Sequence, residues 1–186
     1  RAAIQGRDYV FILTDKAAYV MQFVGPPFTF SVRQVGTNCG CIGHNAVAFA
    51  NGRVFWMGDA GGFFLFDGTV KNLSCNVEDY IFDDINYTSG QIVAAGVNNL
   101  FSEITWFYPT ASSSVINRYT SYNFVESPNI AGGVWTTGSL ARTGWIDADV
   151  QPDPYAIEYL TSSNVSDTPL VYGNSEGITK MYAQEK

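Results

Sequence analysis

The side chains of this sequence that can do chemistry gather in two short stretches. The first, "CGCIGH", sets Cys39, Cys41 and His44 close together, and His44 is the only histidine of the chain. Thiolates and imidazole are zinc ligands, but a tetrahedral site usually takes about four of them from two separated pairs such as C-x2-C. Here the pair is C-x-C, and Cys75 has to supply a fourth ligand. Packing explains the same residues more simply, because small thiols in a glycine-rich loop fit well against strands. His44 and Cys75 also have the types of a base and a nucleophile. Nothing in the sequence brings them together, and no G-x-S-x-G elbow or P-loop is present.

The second stretch, "VEDYIFDDIN", concentrates Glu78, Asp79, Asp83 and Asp84. Asp79 and Asp83 at helical spacing are the type of pair that binds Ca²⁺ or works in a glycosidase. The EF-hand pattern is absent, and a solvated acidic face accounts for such a cluster. Trp56, Trp106, Trp135, Trp145, Tyr108, Tyr119 and Tyr122 are candidate sugar-stacking platforms, with packing between sheets as the competing reading. The expectation is a non-enzyme: no residue is assigned a catalytic, cofactor-binding or metal-ligating role.

The elements that position these residues read as strands. Hydrophobic residues make up 46% of the 186 residues and charged ones only 15%, below the roughly 25% of soluble domains. No apolar pattern of helical length is sustained, apart from Val77, Ile81 and Ile85, which place a short helix within 76–86. No apolar run approaches the roughly 18–20 residues of a membrane span. The net charge of −7 argues against a surface that grips nucleic acid. The odd count of three cysteines argues for reduced thiols and folding in the cytosol. On that reading the sequons at Asn72, Asn86 and Asn164 are without meaning. Arg1 in place of Met, and "AQEK" directly after a strand-like run, suggest a piece of a longer polypeptide.

Internal similarity is the strongest pattern. "VFILTDKAAYVMQ", 10–22, aligns without a gap with "VFWMGDAGGFFLF", 54–66, so that Asp15 matches Asp59 and Tyr19 matches Phe63. Each reads as an apolar strand, a five-residue loop carrying Asp, and a second apolar strand. In that loop Asp15 and Asp59, with Asn174 in a fainter copy, read as turn residues that bond the local backbone. The fainter copy is "LVYGNSEGITKMY", 170–182. A divergent one has strands 104–108 and 115–124 around a loop at 109–114. Hairpin repeats near 10–22, 54–68, 104–124 and 170–182 approximate the roughly 40–50 residues of a four-stranded blade, with an insertion in the last interval. Continuous apolar runs such as "VFWM" suit strands covered on both faces. One such hairpin is worth on the order of 10 kcal/mol before chain entropy is counted. The expected fold is all-β, a propeller-like repeat of antiparallel hairpins, with 1–186 forming a single domain or part of one. A β-sandwich explains the composition but not the ungapped offset.

The order and wording of several segments carry a resemblance. "NGRVFWMGDAGGFFLFDGTVKNLSCNVEDYIFDDIN", then "SEITWFYP", "NRYTSYNF" and "GSLARTGWID", together resemble the propeller-containing tail tubular, nozzle or hub proteins of short-tailed bacteriophages, also labelled stabilisation proteins. The matched elements run from about Gly36 to Asp147, and "ESPNIAGG" before Trp135 is longer than the family pattern. The resemblance implies a virion structural protein, with no catalytic residues to carry over. It implies a homo-oligomeric ring in the phage tail that contacts other tail proteins (adaptor, fibres). Such a ring retains the genome and passes DNA through its channel. An acidic or neutral channel wall lets DNA slide with little adhesion. The alternative from another class is a carbohydrate-binding or carbohydrate-active propeller using Trp106 and other aromatics with Glu78 or Asp83. A propeller serving general protein interaction is a third reading.

Overall fold

A computed structural model describes residues 1–146, 155–160, 171–172 and 178–183. The chain is all-β and is built as four successive four-stranded antiparallel sheets. The first holds β1 (Ala2–Gln5), β2 (Val10–Leu13), β3 (Ala17–Gly25) and β4 (Thr29–Thr37), side by side in chain order. The second repeats this with β5 (Val47–Ala50), β6 (Arg53–Met57), β7 (Phe63–Phe66) and β8 (Val70–Leu73). The third does so with β9 (Ala94–Asn98), β10 (Glu103–Tyr108), β11 (Arg118–Asn123) and β12 (Trp135–Gly138).

The fourth sheet departs from this order. Its strands β13 (Arg142–Ile146), β14 (Tyr155–Leu160), β15 (Val171–Tyr172) and β16 (Ile178–Ala183) lie as β13-β14-β16-β15. The 170–182 copy is therefore the outer pair of its sheet, not the equivalent of β2–β3. The second strand of that sheet is β14. Counted from first strands, which begin at Ala2, Val47, Ala94 and Arg142, the repeat is even, at about 45–48 residues per blade. The insertion expected in the last interval came from counting the wrong hairpin.

First strands of neighbouring sheets lie against one another: β1 on β5, β5 on β9, β9 on β13. A parallel bridge, Asn45 to Ala94, joins the second sheet to the third at this line. The sequences explain the closeness. "AAIQ", "VAFA" and "AAGVN" are rich in alanine and glycine, and small side chains let four sheets converge. Gly96 is the extreme case, since a Cβ there would stand 2.5 Å from the Trp145 ring.

The core lies between the sheets. All of "VFWM" in β6 is buried, and Phe11, Phe63, Trp106 and Tyr108 join it in one cluster that spans the first three sheets. A smaller cluster of Ala94, Phe107 and Ile116, with Tyr119, Leu140 and Trp145, ties the third sheet to β13.

Strand register corrects the hairpin alignment. Leu13 pairs with Ala18, whereas its counterpart Met57 pairs with Phe63. Between the paired residues the first turn thus has four residues (14–17, the last already in β3) and the second five (58–62). The match holds through β2 and β6 and slips by one residue beyond the turn. Ala18, not Tyr19, occupies the place of Phe63, and both are fully buried. The third hairpin also turns later than expected. Its loop is 109–117, because Asn117 is held out of β11 by reciprocal bonds with Thr110, at 2.9 and 3.0 Å. The helix expected in 76–86 is α1 (Glu78–Phe82), with Ile81 and Ile85 buried. Two 3-10 turns joined across a kink at Ser89 span Tyr87–Ile92, and one spans Ser127–Asn129. The loop copies at 173–177, with Asn174, and the segments 151–154 and 162–169 lie outside the described residues.

Candidate functional site

A recess where the first strands converge draws on all four sheets. Ala3 and Ile4 of β1, Val47 of β5, Ala94 and Ala95 of β9, and Thr143, Gly144 and Trp145 of β13 line it. His44 and Asn45 complete the wall, and the cavity measures about 380 Å³. The backbone closes one side, where Ala95 N–H donates to the Asn45 carbonyl at 2.7 Å. On the β13 side the Thr143 hydroxyl donates to Ile157 O at 3.4 Å. His44 is exposed and is the only ionisable side chain in this wall. Chemically the recess is a small neutral surface with one imidazole. Sequence reading took His44 up only as a partner of cysteines. The lining strands went unnoticed because each is short and weakly apolar. Their signal is an alanine-rich segment standing a few residues ahead of each of the first three hairpins.

The structure separates the "CGCIGH" residues. Cys39 and Cys41 are buried while His44 points to the recess, and Cys75 follows β8, the last strand of the second sheet. Cys41 Sγ donates to the Gly43 carbonyl at 3.0 Å, and burial pushes its pKa up to about 11. Burial does the same to Cys75, also to about 11. Gly40 between the two buried thiols sits against backbone, with a Cβ there falling 1.8 Å from the Asp15 carbonyl oxygen. Among the described residues, no three His, Cys, Asp or Glu side chains come together to hold one ion. The sequence-level pairing of His44 with Cys75 likewise places the two on opposite edges of a sheet: one before β5, the other after β8.

The aromatic candidates are structural. Trp56, Trp106 and Tyr108 are fully buried, so none of them offers a face to a sugar. All four indoles donate to backbone carbonyls distant in sequence: Trp56 to Cys39 at 2.9 Å, Trp106 to Ala46 at 3.1 Å, Trp135 to Ser74 at 3.0 Å and Trp145 to Val97 at 2.8 Å. The last three bonds each cross from one sheet or its connection to another. Trp135 also packs on Phe63 and Tyr122, with ring centroids 4.6 and 4.7 Å apart. Tyr119 lies 6.5 Å from Phe107 in the smaller cluster.

The acidic stretch splits by face. Asp79 and Asp83 are exposed, and Asp83 N–H donates to Asp79 O at 2.9 Å within the helix. On the same helix Tyr80 is held by the Arg118 guanidinium, which bonds its hydroxyl and lies 5.8 Å from its ring centre.

Turn chemistry falls to other residues than expected. Asp59 Oδ1 accepts from the Arg1 guanidinium at 2.6 Å, which ties the hairpin loop to the first strand's end instead of to its own backbone. In the first hairpin, Thr14 Oγ1 makes the local bonds, accepting from Ala17 N at 2.9 Å and Lys16 N at 3.2 Å. A hydroxyl both donates and accepts, so it closes the four-residue turn from either side.

A second cavity, about 530 Å³, lies between β6–β8 and the 3-10 turn Ser127–Asn129. Its wall carries Phe55, Leu65 and Ile130 with the Asp67–Lys71 ion pair at 2.6 Å. Hydrogen bonding from Lys71 holds the Asp67 carboxyl below its usual range. No helix of the described residues is long and apolar enough to cross a membrane. In comparisons with known proteins, no family model and no curated sequence matches the chain.

Proposed function

We propose that this chain is a structural protein of a bacteriophage tail, a component of a homo-oligomeric nozzle-type ring that retains the genome and passes DNA outward during ejection. The resemblance of the segments between Gly36 and Asp147 suggests the family. The observation that best supports a scaffold role is the use made of the tryptophans. Each indole N–H is spent on a backbone carbonyl far along the chain, and three of the four bonds brace one blade against another. A device that fixes blades relative to each other suits a part that must hold its shape around pressurised DNA. The low charge and the balance of −7 fit a wall that DNA passes without adhering. In this reading the protein has no catalytic role, resides in the virion, and meets adaptor and fibre proteins in the tail.

Electron cryomicroscopy of the purified chain and of the particles that contain it tests this reading. The expected result is a symmetric ring around an axial channel whose lining is acidic or neutral. A basic lumen, or a particle with no ring of this chain, overturns it.

A further inference from the structure

The first sheet carries an arm that the other described residues leave uncovered. β3 and β4 have nine residues each, and β2 accompanies β3 only as far as the pair Val10–Met21. From Gln22 onward the two strands run on alone to the turn at Pro26–Pro27. Pairing puts Met21 opposite Val32 and Phe23 opposite Phe30 on one face, with Gln22 and Ser31 on the other. This is the alternation of a half-buried sheet. Here the apolar face meets water: Phe23 is 69% exposed, Phe30 55%, Val32 59% and Phe28, at the tip, 80%.

We infer that this arm docks on a second copy of the chain, with Phe28 of one copy seated in the groove at the base of its neighbour's arm. The inference deepens the ring reading by naming the contact, and rests on it only for the homo-oligomer. Size is the first argument. At about 200 Å² for a whole aromatic side chain, the three phenylalanines leave on the order of 400 Å² of apolar surface in water. Val32 brings the patch to roughly 500 Å², in the upper part of the range for a monomer and more than half of the roughly 800 Å² that each partner gives to a stable interface. Among the described residues nothing covers it, since the arm runs on past the end of β2.

The second argument is complementarity within one chain. The groove, about 250 Å³, is lined by Tyr9, Met21, Phe23 and Phe30, with Arg7 and Asp8 at its rim. An apolar knob at the tip and an apolar hole at the base let two copies satisfy each other, either reciprocally or head to tail. Charge is the third. Residues 17–37 contain one charged side chain, Arg33, and no acid, in a chain of net charge −7. Copies that repel each other elsewhere meet with least repulsion here.

Sedimentation equilibrium of the full chain over a range of concentrations, with Phe28→Ser, the pair Phe23→Thr and Phe30→Thr, and Leu100→Ser as control, decides the matter. Leu100 is 58% exposed in a different hairpin, and all these sites are solvent-facing, so thermal melts are expected to stay unchanged. The wild type is expected to self-associate, and each arm variant to weaken association about 10- to 100-fold while the control does not. A photocrosslinker at 28 is expected to label Tyr9 or Met21 of another copy in an isotope-mixed sample. A monomeric wild type overturns the inference. Association that the arm variants leave intact also overturns it, while the ring reading survives. Arm-dependent association without a channel-forming ring upholds the arm and sinks the ring reading.

Discussion

The thiol of Cys41 has no exposed surface and donates to the Gly43 carbonyl, so ionising it places a charge in the interior. Its pKa of about 11 in the folded chain lies above the 9.0 of an ordinary thiol. The folded state therefore keeps this proton through a pH range in which the unfolded chain gives it up. Stability is full below pH 9 and falls as pH rises from about 9 to 11, by roughly 2–3 kcal/mol for this group. Urea titrations at pH 8 and pH 11 measure the loss, and Cys41→Ala is expected to lose less over the same interval. The same shift lowers the thiolate fraction at pH 8 about 100-fold. Iodoacetamide is expected to modify Cys39 and Cys41 only after denaturation, as peptide mass mapping can show. The chemistry that "CGCIGH" promises is thus withheld by burial.

At the scale of the element, the indole bonds make a quantitative claim. Trp106→Phe removes the donor to Ala46 O, leaves that carbonyl with the Met57 N–H alone, and opens a small void beside Phe63 and Trp135. The expected cost is about 1–3 kcal/mol, read as a lower urea midpoint at unchanged slope. The strands that hold Trp56 and Trp106 were legible in the sequence, because "VFWM" and "ITWFY" are nearly continuous apolar runs of the kind doubly covered strands show, whereas those of Trp135 and Trp145 are not such runs. The one-residue slip between the first two hairpins was not. A Thr-closed loop of four and a glycine-rich loop of five both fit one ungapped alignment, and only pairing tells Ala18 from Tyr19. Nor was the site legible. Its wall is made of Ala3, Val47, Ala94 and Gly144, one or two small residues from each sheet. Small residues carry almost no periodic signal; they matter because blades converge on them. The arm was not legible either, since Phe30 and Val32 alternate with polar residues as a core strand does, and local sequence does not tell a covered apolar face from an open one.

Across the whole molecule, the two clusters imply unequal cooperativity. Sheets one to three share a single aromatic core, so loosening any one of them exposes side chains of its neighbours. β13 is joined through the smaller cluster, in which Trp145 is the principal bolt: its ring lies on Gly96, 5.9 Å from Phe107, and its indole bonds Val97 O. Removing that bolt should therefore detach one blade and leave three. Trp145→Ala is expected to abolish slow hydrogen exchange in β13 and β14 while amides of β6 and β10 keep their protection. Gly96→Val, which drives a side chain into the same ring, is expected to do the same from the opposite side of the contact. Uniform loss across all four sheets would mean one indivisible core. Loss confined to the fourth would mean that the blades are graded in stability along the chain, with the recess at their convergence opening first on its β13 side.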